Sequence, residues 1–562
     1  MFKKWIMVSI AIPILFTTIL GCSSSKSSET TATPVLEQSP DMPKDDATAP
    51  MKDGKFDPPI TMTTIRDVGG DVKFKSGETI ENNVLNTWFH DKMGIDVKHL
   101  WTASGGDAYN NKLRLSLSAN EPLPDVFVVN DGQLINDFID SGKVMDISQL
   151  WEQYASPRIK KIYGDFPQAF YPSTKDGKKY GVPLFTGGNV SDNVMWIRKD
   201  WLDKLNLQAP KTLDELEKVM DAFVNQDPDG NNKKDTIGIS AQGKSYLGAW
   251  MGDLGFVFGG LGNIGMPGMW SKAADGTLQY ASVQPQAKDG LLKLRDWFAK
   301  GYLDKELGIL DETKASDSFV QGRSGIITCG TWFPGWPMPD LLKNHPEAKV
   351  IPIPIPSGVD GKIGRWGEGV QQGQILFSKD FKHIDAFFKY LDTGFDSVLN
   401  DGEFKDGYFE GYDYVMKDGK KSFGGKDNPD KVDVGAYYLT RHTQDIPYNQ
   451  IAVMKKLAEG AQPANSYEEG LLAKDKLELE AAVIDDNQND YKMTTEFIGS
   501  PTTTMQAKGE FLKKIELETF MQIIYGKGKI EDFDTFVSQW KSGGGDEITK
   551  EVNEWYVSVT KK

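Results

Sequence analysis

The sequence predicts an α/β protein. Three observations carry that prediction: apolar runs of strand length, helical stretches with start and stop signals, and the interleaving of the two along the chain. Pro124-Asp125-Val126-Phe127-Val128-Val129-Asn130 is an apolar run that ends in polar residues, with Asp125 read as a helix or turn cap. Tyr180-Gly181-Val182-Pro183-Leu184 is a second such run, followed by Phe185-Thr186-Gly187-Gly188-Asn189. Val194-Met195-Trp196-Ile197 is a third and leads into Arg198-Lys199-Asp200-Trp201-Leu202, where Trp196 and Trp201 read as core. Thr212-Leu213-Asp214-Glu215, after Pro210, has the form of a capping box, and Leu216, Val219, Met220 and Phe223 follow at helical spacing. Near the end, Leu512, Ile515, Phe520, Ile523 and Ile524 mark an amphipathic helix that Gly526 stops. No short-period internal repeat is visible, which argues against solenoids and propellers.

The N-terminus indicates export. Lys3 and Lys4 precede an apolar run from Trp5 to Leu20, broken by Ser9, Pro13, Thr17 and Thr18. That layout is a secretory signal peptide over residues 1–21, because a spanning helix needs about 20 apolar residues without such breaks. Ile19-Leu20-Gly21-Cys22 resembles the bacterial lipobox, which would make Cys22 the lipidated first residue. The stretch from Cys22 to residue 56 is rich in Ser, Thr, Pro, Asp and Lys and reads as a flexible tether. These features place the protein on the extracellular face of the cell membrane, held by diacyl chains.

Composition narrows the partners. The net charge is −16, and losing Lys3 and Lys4 with the signal makes it more negative still. Nucleic-acid binding depends on phosphate neutralisation by Lys and Arg, so this body is a poor match for it. Once Cys22 is modified, Cys329 has no disulfide partner, and no Cys-rich metal site can form. About 500 residues at roughly 100–200 per domain give two to four domains.

One ion site is legible from spacing. Asp227-Pro228-Asp229-Gly230-Asn231-Asn232-Lys233-Lys234-Asp235 places side-chain oxygens of Asp227, Asp229, Asn231 and Asp235 at loop positions 1, 3, 5 and 9, with the Lys233 carbonyl at position 7. That is the spacing with which an EF-hand loop wraps Ca²⁺, and it predicts a structural calcium. Asn232 stands at the sharp turn where glycine is usual, and Asn tolerates the left-handed conformation. Position 12 is Gly238, so a carboxylate from elsewhere must complete the shell. An Asp/Asn-rich polar turn is the plain alternative.

Family resemblance rests on ordered segments. Lys179-Tyr180-Gly181-Val182-Pro183, Trp196-Ile197-Arg198-Lys199-Asp200-Trp201-Leu202-Asp203-Lys204-Leu205 and Pro210-Lys211-Thr212-Leu213-Asp214-Glu215-Leu216 resemble the extracellular solute-binding proteins of family 1, which serve ABC sugar importers. Pro124 to Phe127, Gly325 to Trp332 and Phe533 to Trp540 continue the resemblance. The similarity is to the large Gram-positive lipoproteins and the calcium-containing alginate-binding proteins, in which similar loops occur, and more distantly to maltodextrin-binding protein. It implies a two-lobe type II periplasmic-binding-protein-like fold with a hinge and an interlobe cleft. The expected bounds are 57–183 for lobe 1, with 355–430 returning to it, and 184–354 for lobe 2, with 431–562 mostly in it. The implied function is capture of an oligosaccharide by a monomer and delivery to the ABC permease transmembrane subunits.

The same resemblance brings Asn130, Asp131, Thr186 and Asn189 to the cleft and makes Trp332 the sugar-stacking residue. Its loop, Thr331-Trp332-Phe333-Pro334-Gly335-Trp336-Pro337, is rich in Pro and Gly, a setting where ligand contact is more natural than burial. Trp336, Trp366 and Trp101 stand as further candidates, balanced against core packing. A pyranose has an apolar C–H face and a rim of hydroxyls, so it calls for aromatic planes and planar amides or carboxylates.

The rival reading is a surface-anchored glycoside hydrolase or lyase, which 80 acidic residues leave open. No Gly-x-Ser-x-Gly elbow, His-Glu-x-x-His helix or Walker loop is present. His90, His99, His345, His383 and His442 show no metal-ligand spacing and read as structural. A third reading, an adhesin, lacks the repeats and modular β domains that it favours.

Overall fold

The computed structural model describes residues 50–69, 72–186, 190–263, 265–395, 399, 402–425, 427–440 and 449–560. Cys22, the signal segment and Asn189 therefore lie outside the described residues, as does His442. The expected elements are present. The first three apolar runs become the strands Val126–Val129, Gly181–Phe185 and Val194–Arg198. The capping signal opens the helix Leu213–Asn225: the Glu215 amide donates to Thr212 Oγ1 at 3.2 Å, and Glu215 Oε2 accepts from the Lys211 amide at 2.7 Å. Leu216, Val219, Met220 and Phe223 are buried on its inner face. The late helix runs Thr503–Ile524 and stops at Gly526, whose φ of +67° supplies the left-handed exit.

Two sheets organise the body. In one, Gln371–Phe377 lies between Val126–Val129 and Gly181–Phe185 and is antiparallel to both. The parallel pair Ile60–Asp67 and Ile95–Ala103 is joined to it through Asp125, whose Oδ2 accepts from the Thr63 amide at 2.8 Å and Thr63 Oγ1 at 2.6 Å. Asp125 is thus a clamp between strands and not the helix or turn cap expected. In the other sheet Val194–Arg198 lies between Ile326–Cys329 and Val350–Ile353, again antiparallel.

Each sheet has its own core, which makes the fold two-lobed. The first core holds Phe56, Phe89, Trp151, Tyr163, Phe377 and Tyr390 and extends to Leu439. The second holds Trp201, Phe223, Trp297, Phe520 and Trp540, with Ile353 and Ile355 among its members. The first core thus runs past the expected bound at 430, and residue 355 packs with the second lobe. The body also begins earlier than expected. Met51–Lys52 pairs with Lys55–Phe56, and Phe56 is buried in the first core, a contribution of about 1.5–3 kcal/mol toward ordering the hairpin.

The chain passes from the first core to the second after Phe185 and returns before Val370; Tyr467 still packs against the first core, and the buried residues of the second resume at Leu512. Buried charge ties these passages together. Arg365, fully buried, donates to Asp485 Oδ1 at 2.6 Å and to the Gln488 carbonyl at 3.0 Å, and lies 3.4 Å from Asp192 Oδ2. Lys492 approaches the same Asp192 oxygen at 3.0 Å, and the Glu368 amide donates to the other at 2.6 Å. Burial, with Asp192 alongside, pushes the Glu368 carboxyl up to about 7.

Candidate functional site

In the first lobe the strand ends collect polar residues around a notch of about 90 Å³. Its lining includes Arg66, Asp67, Tyr109, Asn130, Gln372 and Thr440. Most of these groups are already engaged. The buried Arg66 guanidinium donates to the Ala436 and Tyr438 carbonyls, Tyr109 Oη to the Val128 carbonyl at 2.9 Å, and Gln372 Nε2 to the Phe185 carbonyl at 2.9 Å. Asn130 is exposed at the rim. Asp131 is spent on the fold: Oδ1 accepts from the Leu134 amide at 2.8 Å, capping the helix Gly132–Asp140, and Oδ2 pairs with Arg114. Thr186 is buried, and its hydroxyl donates to the Gly369 carbonyl at 3.0 Å. Trp101 is covered by Tyr109 on one side and by Lys112, whose Nζ sits 4.4 Å from the ring centroid.

The second lobe presents aromatic surface. Trp332 and Trp336 stack with centroids 5.9 Å apart and planes 18° from parallel. Trp250 completes the cluster at 5.6 Å from Trp332 and 6.3 Å from Trp336. Trp336 is 38% exposed, while Trp332 and Trp250 rest against a small core that includes Trp196, Phe319 and Phe333. Gly330 makes this arrangement possible, since a Cβ there would come within 2.4 Å of Trp332 Nε1. Trp366 lies on the passage between lobes, half-buried, with its carbonyl accepting from the Asn193 amide at 3.2 Å. The structure therefore gathers Trp332 and Trp336 into one surface, sets the Trp366 ring against Gly248, two residues before Trp250, and keeps Trp101 in the first lobe.

Trp250 escaped sequence reasoning, yet its signal was the one used for Trp332: an indole in a loop with Gly243, Gly248 and Gly252 close by. The buried Arg365–Asp192–Asp485–Lys492 cluster left no such signal, because its members are far apart in sequence and of the commonest charged types.

The Asp227 loop makes the sharp turn expected of it, but among the described residues no group of three or more Asp, Glu, His or Cys side chains is arranged to hold a metal ion. Asn232 takes φ +60°, and its amide donates to Asp227 Oδ2 at 3.2 Å. Asn231 Nδ2 donates to Asp229 Oδ2 at 2.7 Å and to Asp235 Oδ1 at 3.1 Å, so three of the expected side chains converge. Asp227 Oδ1 is buried without a hydrogen-bond partner among the described residues. Burial first, then the neighbouring Asp227 and Asp235, raises the Asp229 carboxyl above its ordinary range. A cation would satisfy the orphaned oxygen, although the side chains do not stand as a formed metal shell. Gly238 can contribute no side chain, since a Cβ there would lie within 2.9 Å of Met220 and Tyr302. Nearby, the Lys204 ammonium donates to the Pro228 carbonyl at 2.9 Å.

Comparison with known proteins places this geometry in a family. The family described as bacterial extracellular solute-binding protein matches over residues 73–393, more than half of the chain. The chain belongs to that family. A Bacillus subtilis relative, the polygalacturonan/rhamnogalacturonan-binding protein YtcQ, is 27% identical over 467 residues, covering 79% of this chain and 82% of its own. Among solved structures, the alginate-binding protein AlgQ2 without calcium ion has a TM-score of 0.61 at 19% identity, covering 90% of this chain and 100% of its own. An EF-hand mutant of the Streptococcus pneumoniae ABC-transporter substrate-binding protein FusA, in complex with fructo-nystose, has a TM-score of 0.60 at 18% identity, covering 89% and 99%. Both structures share the two-lobe type II architecture seen here.

Proposed function

We propose that this solute-binding protein captures an oligosaccharide between its lobes and delivers it to the transmembrane subunits of an ABC importer. The observation that carries the reading is the Trp250–Trp332–Trp336 surface, whose near-parallel indoles of Trp332 and Trp336 suit the C–H face of a pyranose. Asn130 at the rim of the first lobe is the planar amide that suits a hydroxyl, with Trp366 on the passage between lobes as a further contact. Asp131, Thr186 and Trp101 act on ligand only indirectly, through the helix start, the strand end and the β-sheet face that they hold. Closure of the two lobes about their passages is the mechanism, driven by contacts that a ligand makes to both.

In this reading residues 1–21 are removed, Cys22 carries the lipid, and a tether holds a monomeric body outside the membrane. Among the described residues no helix is long and apolar enough to cross a membrane, and a lipid anchor does not need one. The lobes divide near residues 186 and 193, 355 and 370, and beyond 439. Calcium at Asp227, Asp229, Asn231, Asp235 and the Lys233 carbonyl would neutralise the crowded acids and fix the loop that follows the helix Leu213–Asn225.

A thermal-shift screen of residues 50–562 against oligosaccharides, galacturonan fragments included, tests both assignments. A ligand that binds only the folded state adds about 2.7 kcal/mol at a hundredfold excess over its dissociation constant. The expected result is a higher melting temperature with the sugar recovered intact, and a lower one when chelator is added to the calcium form. Shortened sugar products would establish the hydrolase or lyase reading instead. A melt indifferent to chelator would remove the calcium.

A further inference from the structure

A second cavity, of about 500 Å³, shares no lining residue with the Trp332 surface. Its walls come from both lobes. Trp151 and Phe170 belong to the first core, whereas Trp555 packs against the second and is carried by the helix Asp546–Thr560. Tyr171 meets Trp555 edge to face, with centroids 6.0 Å apart and planes at 82°, and Ser500 Oγ donates to the Pro172 carbonyl at 3.3 Å beside them.

Three charged side chains line the same space, and one of them, Lys160, is neutralised by Glu152 at 3.1 Å, which leaves Lys179 and Asp176 to face an occupant. Lys179 Nζ lies 5.0 Å from the Phe170 centroid and 5.7 Å from that of Trp151, and among the described residues no carboxylate pairs with it. Asp176 sits at a turn with φ +51° and leaves its carboxylate exposed. This combination discriminates between occupants. A purely apolar ligand would strip water from Lys179 without replacing it. A simple anion would meet Asp176. A pyranose meets neither objection: its C–H face covers aromatic rings, while its hydroxyls accept from the ammonium and donate to the carboxylate. The volume falls within the roughly 300–1,000 Å³ of small-molecule sites.

We propose that this cavity is an accessory pyranose site, separate from the Trp332 surface, whose occupant contacts both lobes and so favours the arrangement in which they are together. The inference rests on the reading of the protein as a glycan-capturing one. Saturation-transfer NMR on the full chain, with methyl β-galactopyranoside and galacturonic acid as probes, tests it. In a Trp332→Ala background the transfer to at least one probe should persist, and adding Lys179→Met or Tyr171→Ala should each reduce it at least threefold. Lys179 is half-buried at the end of its hairpin away from the turn, and methionine keeps the apolar stem that covers Phe170 and Trp151, so this variant keeps the test valid if Tyr171→Ala unfolds. Transfer lost with Trp332→Ala alone, or unchanged in both cavity variants, or absent from both probes, overturns the proposal. Capture itself is scored separately: a chain that takes up an oligosaccharide in the thermal-shift screen but shows no cavity signal loses only the accessory site, whereas one that binds no oligosaccharide loses the capture reading.

Discussion

The two lobes offer a ligand opposite kinds of surface. On the first, polar side chains at the strand ends are consumed by the fold: Asp131 caps a helix, Thr186 and Gln372 bind main-chain carbonyls, and Arg66 is buried against two more. On the second, three indoles stand together, Trp336 exposed and Trp250 and Trp332 half-buried. The difference follows from bonding capacity. A strand end exposes main-chain donors and acceptors that recruit every polar neighbour, whereas an indole in a Gly/Pro-rich loop has a single donor and a large apolar face that nothing local can satisfy. Affinity should therefore concentrate in the second lobe, and stability losses in the first lobe and at the passages.

The largest effect belongs to the passages, which serve both faces. Arg365→Met leaves Asp192 and Asp485 buried with only Lys492 to compensate them. Removing one partner of a buried ion network costs about 3–5 kcal/mol. Urea denaturation of the variant should show a loss of that order, and a loss under about 1 kcal/mol would mean that the passages are held by packing alone.

Next comes the contrast between the faces themselves. Trp332→Ala should weaken oligosaccharide binding by more than about 1 kcal/mol, as truncation of an aromatic anchor does. Asn130→Ala removes one solvent-exposed amide and should cost less than about 1 kcal/mol. Calorimetric titration of the two variants with the same sugar decides between them, and the reverse order would break the comparison.

The second lobe also holds a buried acid on the helix Thr503–Ile524. Glu516 accepts from Tyr280 Oη at 2.9 Å and Ser282 Oγ at 2.6 Å, and Tyr280 Oη lies 3.5 Å from that of Tyr246, in the loop that carries Trp250. Burial pushes this carboxyl up from 4.5 to about 7. The folded state thus binds the proton more tightly than the unfolded one. Its stabilising contribution is complete below about pH 4.5 and is lost as pH rises through about 7. Melting temperatures between pH 5 and 8 should fall less steeply in Glu516→Gln than in the native chain; equal slopes would show that Glu516 does not titrate there.

How much of this was legible in the sequence differs by kind of signal. Elements set by local periodicity could be read: the Thr212 start, the Gly526 stop and the Val194 strand are all where pattern placed them. The Pro/Gly-rich setting of Trp332 and the spacing of the Asp227 loop were likewise local. What escaped depends on long-range contact. Asp125 clamps a strand 62 residues away, and Arg365 meets Asp485 across 120 residues. Phe56 closed against the first core even though its neighbours resemble a tether in composition. Polar residues near a strand end also have two uses, capping and ligand contact, and sequence spacing alone does not separate them.

Asp131 is where those two uses can be told apart by experiment. If its carboxylate serves the helix start, Asp131→Ala should lower stability by about 1 kcal/mol, the usual cost of losing an N-cap, and leave sugar affinity within twofold of native. Asp131→Asn keeps an acceptor for the Leu134 amide and should restore most of the stability, though it gives up the Arg114 pair, which is half-exposed and worth little. A ligand-contacting carboxylate would give the opposite result: affinity would fall in both variants, and Asn would rescue stability without rescuing binding. That outcome would return the first lobe to an equal share of recognition and remove the asymmetry between the two faces.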